Sequence, residues 1–123
     1  MLAYYDLLSG RNGSNGVYSG KDNYLINKPV DRKNYLEENL GTFAKFVKET
    51  GVDASLLIAP STGYIMNGKL PDNHLSYLDD AYFELIEKNK GGMDFINIKD
   101  LFRDSASDTQ LYYRTDHHWT TRG

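Results

Sequence analysis

The sequence predicts an α/β fold with three layers, in which a mostly parallel sheet is flanked by helices and preceded by a β-hairpin. Residues 52–59 end in a continuous apolar run closed by Pro60, which is typical of a strand buried on both faces of a parallel sheet. Residues 93–98 form a second β-prone run, and a helical pattern lies between the two. Because a helical crossover joins parallel strands, we expect these strands to share one sheet.

The composition is that of one small globular domain. The chain has 123 residues, of which 40% are hydrophobic and 25% are charged, and this is enough for one modest core. Residues 1–16 end in a stretch rich in glycine, asparagine and serine, so we expect a flexible segment there and a folded domain over residues 17–123. The absence of cysteine excludes disulfides, thiolate metal sites and a cysteine nucleophile.

The charge pattern argues against two classes of partner. The net charge is −3 and the two signs are interleaved along the chain, so no basic stripe is present that would bind nucleic acid. No apolar run approaches the roughly 20 residues that a membrane helix needs. We therefore expect neither a nucleic-acid partner nor a membrane segment in this chain.

The first predicted elements are the hairpin and a long helix. Residues 17–18 and 24–26 are β-prone and are separated by a turn-rich spacer of suitable length for a hairpin loop. Asp31 can cap a helix that begins just after Pro29, and Gly51 is a typical stop. Apolar residues recur at helical spacing and predict the buried face, which consists of Tyr35, Leu36, Leu40, Phe43, Ala44 and Val47.

The remaining elements complete the crossover. A second helix is predicted from about Asp72 to the glycine pair at residues 91–92. Its buried stripe is predicted to be Leu75, Leu78, Tyr82, Leu85 and Ile86. Residues 99–103 are expected to form one helical turn, and residues 111–113 are expected to form a third short strand.

The densest polar cluster of the sequence follows that third strand. Asp116 and His118 are two positions apart, so in an extended chain their side chains lie on one side while His117 faces away. The carboxylate would accept a hydrogen bond from Nδ1–H of the imidazole and stabilise the imidazolium that forms when Nε2 takes a proton. Trp119 is expected to pack beneath this loop and limit water access. The alternative is a purely structural hydrogen-bonded pair.

Three further side chains are candidates for contact with a substrate. Arg114 could bind an anionic group or pair with a neighbouring carboxylate, and Tyr113 could face a cleft. Ser61 follows Pro60 at the end of the predicted strand, where it could face the same cleft or satisfy loop backbone groups.

A metal site is disfavoured by the sequence. Imidazole and carboxylate are competent zinc ligands, but adjacent histidines usually diverge, and no third ligand stands at a suitable spacing. We therefore expect no metal and no organic cofactor.

The C-terminal residues 112–123, together with residues 15–26 and 56–61, resemble the DHHW family and, through it, the alginate O-acetyltransferase type of SGNH-hydrolase-like domain. The resemblance implies that Asp116 is the orienting acid and His118 the base of a Ser-His-Asp triad. It also implies that the nucleophilic serine lies downstream of the motif and outside this chain. We therefore expect an incomplete domain, inactive alone, with Ser61 as the one in-chain candidate nucleophile.

The function that this resemblance implies is that of a serine esterase or O-acyltransferase. The substrate would be an acyl ester of a cell-envelope carbohydrate, contacted by Arg114, Tyr113, Trp119 and Ser61, and the location would be outside the cytoplasm. An alternative is a non-catalytic carbohydrate-binding or protein-interaction domain of the envelope. An unpaired sheet edge would be covered by self-association, so a homo-oligomer is a further expectation.

Overall fold

The computed structural model describes residues 13 and 15–123, and most of the segment predicted to be flexible, residues 1–16, lies outside the described residues. The chain divides into two compact units. Unit 1 contains the residues up to Pro29, Pro60–Tyr77 and Leu101–Gly123, and unit 2 contains Val30–Ala59 and Leu78–Asp100.

Unit 1 begins with the predicted hairpin. Strands β1 (Val17–Ser19) and β2 (Leu25–Asn27) pair antiparallel, with Val17 opposite Asn27. The connection is a single 3₁₀ turn at Lys21–Asn23, in which Asp22 has a φ of 54°. An aspartate tolerates this left-handed conformation better than most residues, so the turn forms without glycine at that position.

The core of unit 1 is built on the hairpin and on the segment after Pro60. One buried cluster consists of Tyr18, Tyr24, Ile26 and Leu70, with Met66 and Tyr77 packed against them. The segment contains the one-turn helix α2 (Thr62–Ile65).

The second helix begins later than predicted. Helix α3 spans Asp79–Asn89, and the proposed start at Asp72 is wrong. The preceding residues are held in a non-helical path by the hairpin, because the Leu75 N–H donates to the Tyr18 hydroxyl (2.9 Å) and the Tyr77 hydroxyl donates to the Asn27 carbonyl (2.6 Å). Leu75, assigned to the core from its spacing, is 61% exposed.

Unit 2 contains the long helix α1 (Lys33–Thr50), which ends before Gly51 as predicted, whereas its N-cap is Arg32 and not the predicted Asp31. The Asp31 side chain accepts a hydrogen bond from the Lys33 N–H (3.0 Å) at its start. Gly51, with a φ of 69°, ends the helix and donates its N–H to the Val47 carbonyl (2.9 Å). Both ends are therefore set by local sequence.

The buried face of α1 is narrower than predicted. Leu40 is buried and forms a cluster with Ile86 and Met93, while Tyr35 is 70% exposed and Phe43 is 57% exposed. The partly buried residues around this cluster are Leu36, Ala44, Val47, Ala54, Leu56, Ile58 and Phe95. Successive residues of a helix are rotated by about 100°, so Tyr35 and Phe43 lie to one side of the apolar stripe that contacts the core of unit 2.

The buried face of α3 also differs from the predicted one at one position. Ile86 is buried as predicted, but Phe83 is buried as well and was absent from the predicted stripe. Its ring packs against Phe95 with the centroids 5.5 Å apart. Phe83 therefore becomes part of the core because the ring of Phe95 is available to pack against it.

Strands β3 (Ser55–Leu57) and β4 (Asp94–Ile96) pair in parallel, with Leu57 opposite Ile96, so the predicted α/β class and the parallel pairing are confirmed. Leu56 packs into the core, but Leu57 is 53% exposed, and the prediction of burial on both faces is wrong. Within the part of the chain that the structure describes, these two strands have no other partner. The outer edges of this pair therefore lack a strand partner among the described residues, and on one face of the pair Leu57 and Ile96 are about half exposed.

The last elements are a helix and a single bridge. Helix α4 spans Lys99–Ser105, longer than the one turn predicted. The third strand predicted at residues 111–113 is instead an isolated antiparallel bridge between Tyr112 and Trp119. Among the residues described, no helix is both long and apolar enough to span a membrane.

Substituting Leu40 and Phe43 separately tests the packing of α1. Leu40→Ala is expected to lower the free energy of unfolding by about 2–5 kcal/mol, because it leaves a cavity in the core of unit 2. Phe43→Ala is expected to change it by only about 0.5 kcal/mol, because the ring is largely exposed. Urea denaturation of both variants measures the difference, and equal losses would contradict the packing described.

The ion pair between Asp22 and Lys69 is expected to make stability depend on acid pH. The hydrogen bond and positive charge of Lys69 lower the pKa of Asp22 below its ordinary value. Since the folded pKa is the lower one, the stabilisation is fully present above about pH 4 and is lost as pH falls through the lowered pKa.

Asp22→Asn keeps a residue that tolerates the left-handed turn and removes the charge. Denaturation midpoints measured from pH 6 to pH 3 should fall less steeply in this variant than in the wild type. Added salt should reduce the difference, because the pair is exposed to solvent. If the denaturation midpoints of the two proteins fell equally with pH, the pH dependence could not be assigned to the ion pair between Asp22 and Lys69.

Candidate active site

The Asp-x-His motif lies in a short hairpin loop of unit 1. The Tyr113 N–H donates to the His118 carbonyl (3.2 Å), which closes a loop of four residues, 114–117. The Thr120 N–H donates to the Leu111 carbonyl (2.7 Å) on the other side of the bridge between Tyr112 and Trp119. The loop is thus held at its base by backbone hydrogen bonds.

A buried tyrosine anchors this loop to the segment that begins at Pro60. Tyr112 is only 1% exposed, and its hydroxyl donates to the Pro60 carbonyl. Its ring packs edge-on against Phe102, with the centroids 5.9 Å apart. The buried Thr62 hydroxyl also donates to the His117 carbonyl (3.4 Å). These contacts fix the motif beside the start of α2.

A second anchor joins the loop to the N-terminal hairpin. The Leu25 N–H of strand β2 donates to the Arg114 carbonyl (2.6 Å). The Arg114 guanidinium lies over the ring of Tyr24, 5.9 Å from its centroid. The loop is therefore held from two directions, although most of its own side chains are exposed.

Asp116 and His118 form a close hydrogen-bonded pair. Oδ1 of Asp116 accepts from the His118 backbone N–H (3.0 Å) and lies 2.6 Å from His118 Nδ1. These two hydrogen bonds, the backbone one first, lower the pKa of the Asp116 carboxyl. Because an ionised carboxylate can only accept, Nδ1 carries the proton, and in the neutral ring Nε2 then has the lone pair. This is the arrangement in which Nε2 can act as a base.

His117 does not face away from the pair, as the sequence predicted. Its Nδ1 lies 3.5 Å from Asp116 Oδ1, and its ring lies 4.2 Å from that of His118 with an angle of 32° between the planes. The prediction assumed an extended chain, but residues 114–118 are bent, so alternation of side chains does not apply.

This bend brings together three groups that could hold a metal ion. Asp116, His117 and His118 each offer a ligand atom, and these atoms lie within 4.8 Å of one another. They are the one such group among the residues that the structure describes. The argument against a metal site, that adjacent histidines diverge, is therefore wrong for this loop.

The pair opens onto a cavity of about 320 Å³. The cavity is lined by Val17, Leu25, Asn27, Thr115, Asp116, His117 and His118. Its volume lies at the lower end of the range of small-molecule sites. One wall comes from strands β1 and β2 and the other from the loop, so the hairpin contributes directly to the site.

The four residues predicted to contact substrate do not line this cavity. Tyr113 and Trp119 are about half exposed, so the prediction that Trp119 packs beneath the loop and limits water access is wrong, and the buried ring next to the loop is that of Tyr112. Arg114 stacks on Tyr24, and its charge also contributes to lowering the pKa of Asp22, in line with the ion-pairing alternative. Their roles in binding stay predictions.

Ser61 stands at the start of α2. Its main-chain carbonyl accepts from the N–H groups of Tyr64 (3.1 Å) and Ile65 (3.2 Å), and its side chain is partly buried. Ser61 is the N-cap residue of α2, but its side chain makes no capping hydrogen bond to that helix. Both alternatives for its side chain, nucleophile or partner of loop backbone groups, stay predictions.

Sequence reasoning missed the groups that position the loop. The Tyr112 hydroxyl and the β1 and β2 residues of the cavity wall act through contacts between segments far apart in the chain. The run of tyrosines at residues 112–113 predicted a strand, but no local pattern distinguishes the buried ring from the exposed one.

The fold and this site define an SGNH-hydrolase-like α/β domain. Residues 18–123 match the sequence profile of the family described as "SGNH hydrolase-like domain, acetyltransferase AlgX". The chain therefore belongs to this family, which confirms the resemblance to SGNH-like acetyltransferase domains. No curated protein sequence matches the chain.

Solved structures with the same fold include those of AlgJ and PatB1. The O-acetyltransferase domain of Pseudomonas putida AlgJ superposes with a TM-score of 0.68 and 19% identity, over 86% of this chain and 42% of that chain. Bacillus cereus PatB1, solved with a sulfonyl adduct, gives a TM-score of 0.63 and 20% identity, over 87% of this chain and 38% of that chain. The chain thus spans less than half the length of these relatives.

The anchor of the loop can be tested by Tyr112→Phe. This change removes the donor to the buried Pro60 carbonyl, so the free energy of unfolding should fall by about 1–3 kcal/mol. Tyr113→Phe is the matched control, because that ring is half exposed, and it should change stability by less than about 0.5 kcal/mol. Urea denaturation measures the free energy of unfolding of both variants. An equal loss in the two would show that the Tyr112 hydroxyl does not anchor the loop.

Proposed function

We propose that this chain supplies the acid and the base of a Ser-His-Asp triad in an SGNH-like esterase or O-acyltransferase. The single observation that carries the proposal is the contact of 2.6 Å between Asp116 Oδ1 and His118 Nδ1 at the edge of the cavity. Substrates of the whole protein are proposed to be acyl esters of cell-envelope carbohydrates. The protein would then act outside the cytoplasm.

The geometry supports a defined role for each group. A serine hydroxyl attacks the acyl carbonyl while Nε2 of His118 takes its proton. Asp116 holds the ring through Nδ1 and stabilises the imidazolium, which then returns the proton to the leaving alkoxide. Water or an acceptor hydroxyl, activated by His118, attacks the acyl-enzyme next and releases the acid or the new ester.

The nucleophile is proposed to be a serine that these 123 residues do not supply. The PatB1 relative carries a sulfonyl adduct, which is the expected product when an activated nucleophile attacks a sulfonyl reagent. Ser61 is the alternative within the chain, but it does not line the cavity beside His118.

A carbohydrate-binding role without catalysis is the second candidate. It is favoured by the half-exposed rings of Tyr113 and Trp119 next to the loop, because such rings can stack on sugars. In that case the hydrogen bond between Asp116 and His118 would only shape the loop.

The first experiment measures hydrolysis of a chromogenic acetyl ester by the full-length protein. His118→Ala is expected to lower kcat by about 10²–10⁴-fold, because the base is removed. The matched control is His74→Ala, an exposed histidine whose Nδ1 contacts the Leu75 carbonyl, and it should retain wild-type turnover. Full activity of His118→Ala, with the fold intact by circular dichroism, would reject the triad and favour binding.

The second experiment locates the nucleophile. The full-length protein is treated with a sulfonyl fluoride, and the modified peptide is identified by mass spectrometry. Modification of a serine outside residues 1–123, lost in His118→Ala, is the expected result. Modification of Ser61, with loss of turnover in Ser61→Ala, would show that the nucleophile lies in this chain.

A further inference from the structure

We propose that Asp116, His117 and His118 form a binding site for a divalent transition-metal ion such as Zn²⁺. We further propose that metal binding and the catalytic hydrogen bond of the pair exclude each other. The juxtaposition that carries the proposal is the convergence of two adjacent imidazoles on one carboxylate in the bent loop.

One of the two separations around Asp116 Oδ1 already fits a zinc site, and the other must change. Zinc bonds to nitrogen and oxygen of about 2.0–2.1 Å in a tetrahedron place neighbouring ligand atoms roughly 3.4 Å apart. The separation of Asp116 Oδ1 from His117 Nδ1 is 3.5 Å, which already fits this geometry. The separation from His118 Nδ1 is 2.6 Å, which fits a hydrogen bond and must widen to admit an ion.

The chemistry of the donors selects the class of ion. Two imidazoles and one carboxylate suit zinc and its neighbours, whereas magnesium and calcium prefer oxygen ligands alone. The side chains are each about half exposed or more, so an ion can enter from solvent and water can complete the coordination. The loop backbone is already fixed by its hydrogen bonds, which reduces the conformational entropy lost on binding.

Metal binding changes the tautomer of His118. In the hydrogen-bonded pair, Nδ1 carries the proton and Nε2 has the lone pair. When Nδ1 donates its lone pair to the metal, the proton must reside on Nε2, transferred through solvent. Nε2 is then a donor and can no longer take a proton from a nucleophile.

Bound metal would therefore prevent His118 from acting as a base. This part rests on the proposed function, because inhibition has meaning only if His118 is the base. The binding itself depends only on the three side chains and is tested separately.

The binding test uses the 123-residue chain and isothermal titration calorimetry with zinc chloride at pH 7.5. One ion per chain is expected, with no binding of magnesium. His117→Ala should bind zinc at least about tenfold more weakly, because it loses one ligand, and His74→Ala should bind as the wild type does. Equal affinity in wild type and His117→Ala, or no binding by the wild type, overturns the site.

Nitrogen-15 NMR of the histidine rings tests the exclusion. Without metal, His118 should show the Nδ1–H form, and with zinc the pattern should change to the Nε2–H form with Nδ1 bound. His117 should show a simultaneous shift of its Nδ1. An unchanged His118 tautomer in the zinc-saturated chain overturns the exclusion even where zinc binds.

The ester assay on the full-length protein then separates the two proposals. Zinc is expected to inhibit the wild type at concentrations that saturate the site and to inhibit His117→Ala only at concentrations at least about tenfold higher. Zinc binding without any esterase activity rejects the proposed function but leaves the metal site standing. Activity that zinc does not affect, at saturation, rejects the switch.

Discussion

The hydrogen bond from the buried Tyr112 hydroxyl to the Pro60 carbonyl is the constraint on which the site depends. The Asp-x-His loop is short and exposed, and it has little apolar surface of its own to hold it in place. Burial of the Tyr112 ring against Phe102 supplies that surface, and the hydroxyl satisfies a carbonyl that would otherwise be left unpaired in the interior. Together with the hydrogen bond from the Leu25 N–H to the Arg114 carbonyl, this anchor holds the loop beside the hairpin wall.

The bend of this loop is what makes both proposed chemistries geometrically possible. An extended chain would separate His117 from Asp116, and only the pair with His118 would remain. The bend adds His117 to the group, and the carboxylate then lies within reach of two imidazoles. Since a nitrogen cannot both donate a proton and bind a metal, the state of His118 Nδ1 decides which chemistry the loop supports. In these proposals, base catalysis at Nε2 and metal binding at Nδ1 are therefore alternatives on the one imidazole ring of His118.

In unit 2, only some of the apolar residues on each helix are buried. Helix α1 buries Leu40 fully and leaves Phe43 largely in solvent, although both are apolar and both fit the helical period. Helix α3 buries Phe83 because strand β4 offers Phe95 as a partner. On the parallel sheet, Leu56 is covered and Leu57 is not. Apolar spacing shows which residues are available for a core, and the neighbouring elements decide which of them are used.

By itself, the sequence determined the order of helices and strands that defines the α/β class, the hairpin and the end of helix α1 at Gly51, because each is signalled by residues near one another in the chain. The closeness of Asp116 to His118 was also predicted, although the loop that brings them together is bent and not extended. Hydrophobic period, capping residues and turn glycines act locally, so they can be recognised without coordinates. Only the tertiary structure decided the later start of α3, the position of His117 and the burial of Tyr112 in place of Trp119. Each of these depends on a hydrogen bond or packing contact between distant segments, or on a loop bend that such contacts hold, and no local pattern encodes it.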